Sequence, residues 1–170
     1  PQTFGYGSAG MVTVTDALNA NSKFFFDHRG LIVKSQDPLG RIVQKSFDSN
    51  YHMIRFTGTD GMASGFEYDN RGNRIRTTDP SGQTSQLVYG NLARLNCLTD
   101  TKGNVTNYSY DGKGNITSVS YADGTVEQSN HDAHGNVAQW TNRRGNTTDY
   151  TYNSIGQLLS KEYSGGSQVT

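Results

Sequence analysis

The stretch YDGKGNITSVSYADGTVEQSNHD, Tyr110 to Asp132, ends as it begins: an aromatic ring, then aspartate, then a glycine three residues on, at Gly114 and again at Gly135. Taken alone, its first six residues resemble a ligand site, with an acid, two glycines and an amide beside a ring. Near-copies decide otherwise. YDNRGN starts at Tyr68, HDAHGN at His131 and YNSIGQ at Tyr152, so the starts lie 42, 21 and 21 residues apart. Glycines at 30, 40, 61, 72, 82, 103, 114, 124, 135, 145, 156 and 166 step by 10 or 11 residues, except for two steps of 21. Each long step hides one unit, because the register asks for glycine where Tyr51 and Ala93 stand, within FDSNYHM and YGNLARL. An internal repeat of this length fixes the architecture before any single residue does.

Asp-x-x-Gly is the chemistry of a tight turn. Aspartate at the first position of a type I turn accepts from amides ahead of it, proline suits the second position, and glycine takes a left-handed backbone at the fourth. DPLG from Asp37, DPSG from Asp79 and DTKG from Asp100 fit, with Pro38 and Pro80 in second place. Asp60-Gly61 and Asp123-Gly124 are expected as centres of two-residue hairpin turns. About six residues separate the turns, and NYSYD, DYTYN and GFEYD alternate rings with polar residues, as half-buried strands do. Tyr108 and Tyr110, Tyr150 and Tyr152, and Phe66 and Tyr68 should each share a face, with Ser109, Thr151 and Glu67 opposite. VTDALNANSKFF, from Val14, has a helix-capping start, yet Asp16 stands in turn register three residues before Asn19, so it reads as strand and turn. The expected fold is all-β: residues 1–14 as an irregular or degenerate first repeat, and 15–170 as an array of about seven 21-residue repeats with about fifteen antiparallel strands.

Bulk composition narrows the function classes. Fifteen basic and fifteen acidic residues cancel, and neither sign forms a block, which argues against a nucleic-acid or anionic-membrane binder. Leu, Ile, Val and Phe make only 32 of 170 residues, but zero net charge and 11% aromatics oppose disorder. Apolar runs such as Phe24–Phe26 and Leu31–Val33 are far too short for a membrane helix. Cys97 is alone, so no internal disulfide forms. The chain opens on Pro1 rather than Met, which suggests excision from a longer polypeptide.

A 21-residue period built on Tyr-Asp and a following glycine, as in YDNRGNRIRTTDPSGQTSQLVY from Tyr68 and YDGKGNITSVSYADGTVEQSNHD from Tyr110, resembles the YD repeat of the Rhs family. The likeness runs from about Thr15 to Gly166. It implies a β-strand ribbon that spirals into the wall of a hollow shell. In bacterial Rhs proteins and Tc toxin C components such shells enclose a toxic C-terminal segment, and in teneurins a similar shell belongs to a cell-surface adhesion receptor. The resemblance therefore implies a secreted or cell-surface protein whose partners are the remainder of a larger shell, or neighbouring copies, and an enclosed toxin.

Other chemistries fit the residues less well. From Asp100 the third position of a calcium loop would be Lys102 and the twelfth Asp111, where the EF-hand needs an oxygen ligand and Glu. His131, Asp132 and His134 look like metal ligands, but His131 fills the repeated aromatic slot and His134 a variable turn position. DPLG and DPSG resemble the self-processing segment at the end of Rhs shells only superficially. No nucleophile elbow is present, and Cys97 lies in a strand beside Leu98. Asn-x-Ser/Thr triplets begin at Asn104, Asn107, Asn115 and Asn146.

The reading is a non-catalytic structural segment that needs no cofactor or metal. Its turns are pinned by Asp69, Gly72, Asp79, Gly82, Asp111, Gly114, Asp132 and Gly135, and its ladder by Tyr68, Tyr89, Tyr110 and Tyr152. The alternatives are an adhesin or carbohydrate-binding module, with Trp140 as the glycan contact and a surface glycan or receptor as partner, and a self-assembling extracellular fibre.

Overall fold

The computed structural model of the chain describes residues 2–7, 10–164 and 168–169, so Gly166, the last glycine of the series, lies outside the described residues. The chain divides into two units, Pro1–Thr84 and Ser85–Thr170. The first carries β1 (Thr3–Tyr6), β2 (Met11–Thr15), β3 (Asn21–Phe26), β4 (Ile32–Gln36), β5 (Ile42–Phe47), β6 (Met53–Thr57), β7 (Ala63–Tyr68) and β8 (Arg74–Thr78). The second carries nearly all of β9 (Thr84–Tyr89), then β10 (Leu95–Thr99), β11 (Val105–Tyr110), β12 (Ile116–Ser120), β13 (Val126–His131), β14 (Val137–Thr141), β15 (Thr147–Tyr152), β16 (Leu158–Tyr163) and β17 (Gln168–Val169). Within each unit every strand pairs antiparallel with the next. Seventeen described strands exceed the fifteen or so expected. β1 lies in the stretch read as irregular, and the boundary drawn at residue 14 falls inside β2.

One turn geometry closes nearly every hairpin. The first residue's N–H donates to the carbonyl of the fifth, and the fourth residue's N–H donates back to the first, as with Asp111, Asn115 and Gly114 at 3.0 and 3.1 Å. This is a type I turn followed by a one-residue bulge in the left-handed region. The expectation for the Asp-Gly units is corrected here. Gly61 N–H donates to Gly58 and Gly124 N–H to Tyr121, so Asp60 and Asp123 are third in the same turn. Neither aspartate has the positive φ that a type I′ centre requires.

Where the register lacks glycine the backbone keeps the conformation anyway: Tyr51 has φ 70° and Ala93 φ 56°. A left-handed backbone costs a side-chain-bearing residue about 1–2 kcal/mol. Tyr51→Gly should therefore melt higher than Tyr51→Ala, by about 1 kcal/mol in stability, since both lose the stack of Arg29 on the Tyr51 ring, 5.2 Å away. Equal melting of the two variants would contradict the strain.

Directly opposed residues of an antiparallel pair share a face. Tyr108↔Val119, Trp140↔Thr148 and Tyr150↔Lys161 lie on one face, and Ser109↔Ser118, Gln139↔Asp149 and Thr151↔Ser160 on the other. In the first unit Phe24↔Ser35 and Phe56↔Ser64 likewise lie on a ring-bearing face. A single layer leaves both faces open to water. Among the described residues no apolar side chain is buried, and only Thr148, at 4% exposure, is shut from solvent.

Candidate functional site

Within each unit the repeat places its recurring residues along one row of turns. Strands β3, β5, β7, β11, β13 and β15 each shift register just before their last residue: Phe26, Phe47, Tyr68, Tyr110, His131 and Tyr152. The bulge re-aims that side chain. Tyr68 Oη then donates to the Met53 carbonyl at 2.9 Å, Tyr110 to Leu95 at 2.7 Å and Tyr152 to Val137 at 3.0 Å. Each hydroxyl thus ties the end of its strand to the start of the strand before it. Tyr89 ends β9 opposite Leu95. Phe26 and Phe47 fill the slot without a hydroxyl, and in His131 the Nδ1 is buried without a partner. Tyr110→Phe should keep the fold and lose about 1 kcal/mol of stability, read by thermal melting. A loss several times larger would mean that the ring packing depends on the hydroxyl.

The residue after each slot is the turn's anchor. One carboxylate oxygen of Asp69 accepts from the amides of Arg71 and Asn73, both at 2.9 Å, while the other accepts from the Asn73 side chain. Asp111 does the same with Lys113 and Asn115, and Asp132 with His134 and Asn136. Asp79, in the plainer series, accepts from Ser81 and Gln83. Gly72, Gly82, Gly114 and Gly135 follow with φ of 83, 87, 98 and 91°. The Asn115 side chain, then the Asn115 amide, hold the Asp111 carboxyl at about 2, well below its usual 3.8. Where Gly90 replaces the anchor, the turn changes, and Leu92 and Ala93 both adopt positive φ.

Successive turns of this row also touch, and here sequence reasoning missed the participants. Arg29 donates to the Asp48 carbonyl, Arg94 to Asp111 at 3.2 Å and Lys113 to Ala133 at 2.6 Å. His52 stacks on Tyr68 with ring centres 4.7 Å apart. The recurrent Asn after Gly in RGN, KGN and HGN was the readable signal for the anchor's second partner, whereas the long basic side chains carry no fixed spacing. On the opposite row of turns Arg143 lies 4.2 Å over the Tyr121 ring and bonds Asp123 and Thr125.

His131 and His134 are not brought together as ligands: one closes a strand, and the other is exposed in a turn. No group of three His, Cys, Asp or Glu placed to hold a metal occurs among the described residues. Trp140 sits in β14 beside a shallow hollow of about 300 Å³, lined also by Tyr163, Asn142, Asn146 and Ser164. Cys97 is half-buried.

The turn row, the tyrosine ties and the 21-residue register describe a structural repeat. The sequence family described as teneurin YD-shell matches residues 4–169. This chain belongs to the teneurin YD-shell family. Among solved structures the YD-shell chain superposes on the Tc holotoxin pore of Photorhabdus luminescens with a TM-score of 0.68 at 13% identity, covering 91% of this chain and 10% of that one. It also aligns with a TcdB2–TccC3 complex at a TM-score of 0.44 and 15% identity, covering 98% and 14%. The chain thus spans about a tenth of the length of the holotoxin chain it matches. At 13% identity the likeness to the holotoxin chain concerns fold alone. Comparison with curated proteins gives no match.

Proposed function

We propose that this chain is a non-catalytic stretch of shell wall whose parent encloses a cargo polypeptide, a toxin if the parent is of the bacterial Rhs or Tc kind. The observation that carries this reading is the missing core. A sheet of short strands with no buried apolar side chain among the described residues cannot gain much from its own burial, and repeats of this sort are stabilised by neighbouring repeats. The seven slots at 26, 47, 68, 89, 110, 131 and 152 are evenly spaced, as units of a longer ribbon would be. A secreted or cell-surface setting accompanies the proposal.

The test is the intact mass of the native polypeptide that contains this segment, followed by limited proteolysis. A mass many tens of kilodaltons above the 18.6 kDa of the chain, with a C-terminal fragment protected until the shell is opened, supports the container. A native mass near 18.6 kDa, or a C-terminal region cleaved as fast as an exposed tail, overturns it.

A further inference from the structure

Zero net charge conceals a segregation of charge in the first unit. Of its eight acidic residues, Asp16, Asp27, Asp37, Asp48, Asp60, Asp69 and Asp79 stand in turns, where each accepts from backbone amides. Only Glu67 lies on a strand. The bases are distributed differently. Lys34, Arg55 and Arg76 occupy equivalent places 21 residues apart in β4, β6 and β8, and Lys23 stands in β3.

Register puts all four on the face without the ring ladder. Lys23 opposes Gln36, Lys34 opposes Gln44, Arg55 opposes Ser46 and Gly65, and Arg76 opposes Glu67. The following repeats lack the charge, since Cys97, Ser118 and Gln139 stand at the same 21-residue register. Of the four, only Arg76 has a carboxylate within 4 Å among the described residues, Glu67 at 3.7 Å, and its Nε has no acceptor. Beside Arg55 the surface drops to Ala63 and Gly65, leaving a hollow of about 540 Å³ that Thr78 and Asp79 also line, the Asp79 carboxylate being held by the Ser81 and Gln83 amides.

From this face we propose that the first unit docks an acidic polypeptide segment along the row Lys34, Arg55 and Arg76. Successive cations stand two strands apart and two residues along, about 12 Å from one another. Acidic residues two helical turns apart, about 11 Å, match that pitch. A nucleic acid fits poorly, because a duplex presents a charge every ~1.7 Å. Among the described strand residues of this face the single ring, Phe25, is covered by the Lys34 ammonium at 5.0 Å and offers no stacking platform for bases. Gln36, Gln44 and Thr57 supply neutral donors and acceptors for polar side chains beside the acidic ones. The inference does not depend on whether the shell encloses cargo.

The experiment is fluorescence anisotropy of a labelled oligoglutamate peptide with the whole chain at low salt. The variant Lys34→Gln, Arg55→Gln, Arg76→Gln should bind about tenfold more weakly or worse. A control of equal charge change, Lys45→Gln, Lys102→Gln, Arg144→Gln, should bind as the unaltered chain does; Lys45 lies on the opposite face of the same unit. Far-ultraviolet circular dichroism verifies folding, and if the triple variant does not fold, Arg55→Gln alone should still weaken binding measurably. Equal loss in both triple variants, no loss on Arg55→Gln, or no saturable binding by the unaltered chain would overturn the proposal. So would an oligonucleotide, or vesicles with an anionic lipid, bound as tightly through the same residues.

Discussion

Acid should unfold this protein over a narrow window, with the sheet signal in far-ultraviolet circular dichroism steady above pH 3.8 and lost as pH falls toward about 2. Nine turn aspartates, at 27, 37, 48, 69, 79, 100, 111, 123 and 132, are held below their ordinary value. Side-chain amides lead in Asp69, Asp100, Asp111 and Asp132, and hydroxyls in Asp79 and Asp123. In Asp37 partial burial pushes upward, and the bonds from Arg41 outweigh it. A carboxyl depressed in the fold contributes stability above its unfolded value and loses it as pH drops through the folded one. Each turn therefore weakens in the same direction as pH falls, so the effect accumulates along the ribbon. Two native turns provide the control, because Asn142 and Asn153 accept the same pairs of amides without a titrating group. Asp69→Asn, Asp111→Asn and Asp132→Asn combined should leave the fold intact at neutral pH and move the acid midpoint lower. A sheet signal retained at pH 2, or a midpoint unmoved by the three substitutions, would rule out the turns as the acid-labile element.

The glycine period made the strand order legible because a left-handed fourth residue is a backbone requirement that few side chains can meet. The same period located the positive φ of Tyr51 and Ala93. Asp123-Gly124 was misread because the dipeptide suits two turn classes, and local chemistry was given precedence over register. Counting back three from Gly124 reaches Tyr121, which is where the structure begins the turn. Contacts such as Arg94 to Asp111 were not legible, since they depend on how long side chains lie across turns brought together only by the stacking of hairpins. The cationic row escaped notice for a related reason: net charge sums turn aspartates, already satisfied by amides, with strand bases that are not.

Gly114→Val should be among the most damaging single substitutions, and its comparison with Gly103→Val separates two causes. Both glycines are left-handed, at φ 98° and 85°, so valine meets backbone strain of about 1–3 kcal/mol at either site. At Gly103 an added Cβ would meet nothing within 4 Å. At Gly114 it would lie 2.5 Å from Arg94 Nη2 and 2.8 Å from its Cζ. Arg94 can swing away, but the movement breaks its bond to the Asp111 carbonyl and lifts it from the Tyr110 ring, 5.8 Å below. The valine thus strains one turn and uncouples it from the turn before. Gly114→Val should accordingly lose about 1 kcal/mol more than Gly103→Val in thermal or denaturant melting. Replacing Arg94 as well should erase that difference, because the second cost passes entirely through its guanidinium. If the two valine variants melt alike, neighbouring turns are independent, and the ribbon is held by strand pairing alone. If the excess persists in the absence of Arg94, the strain at Gly114 is purely local.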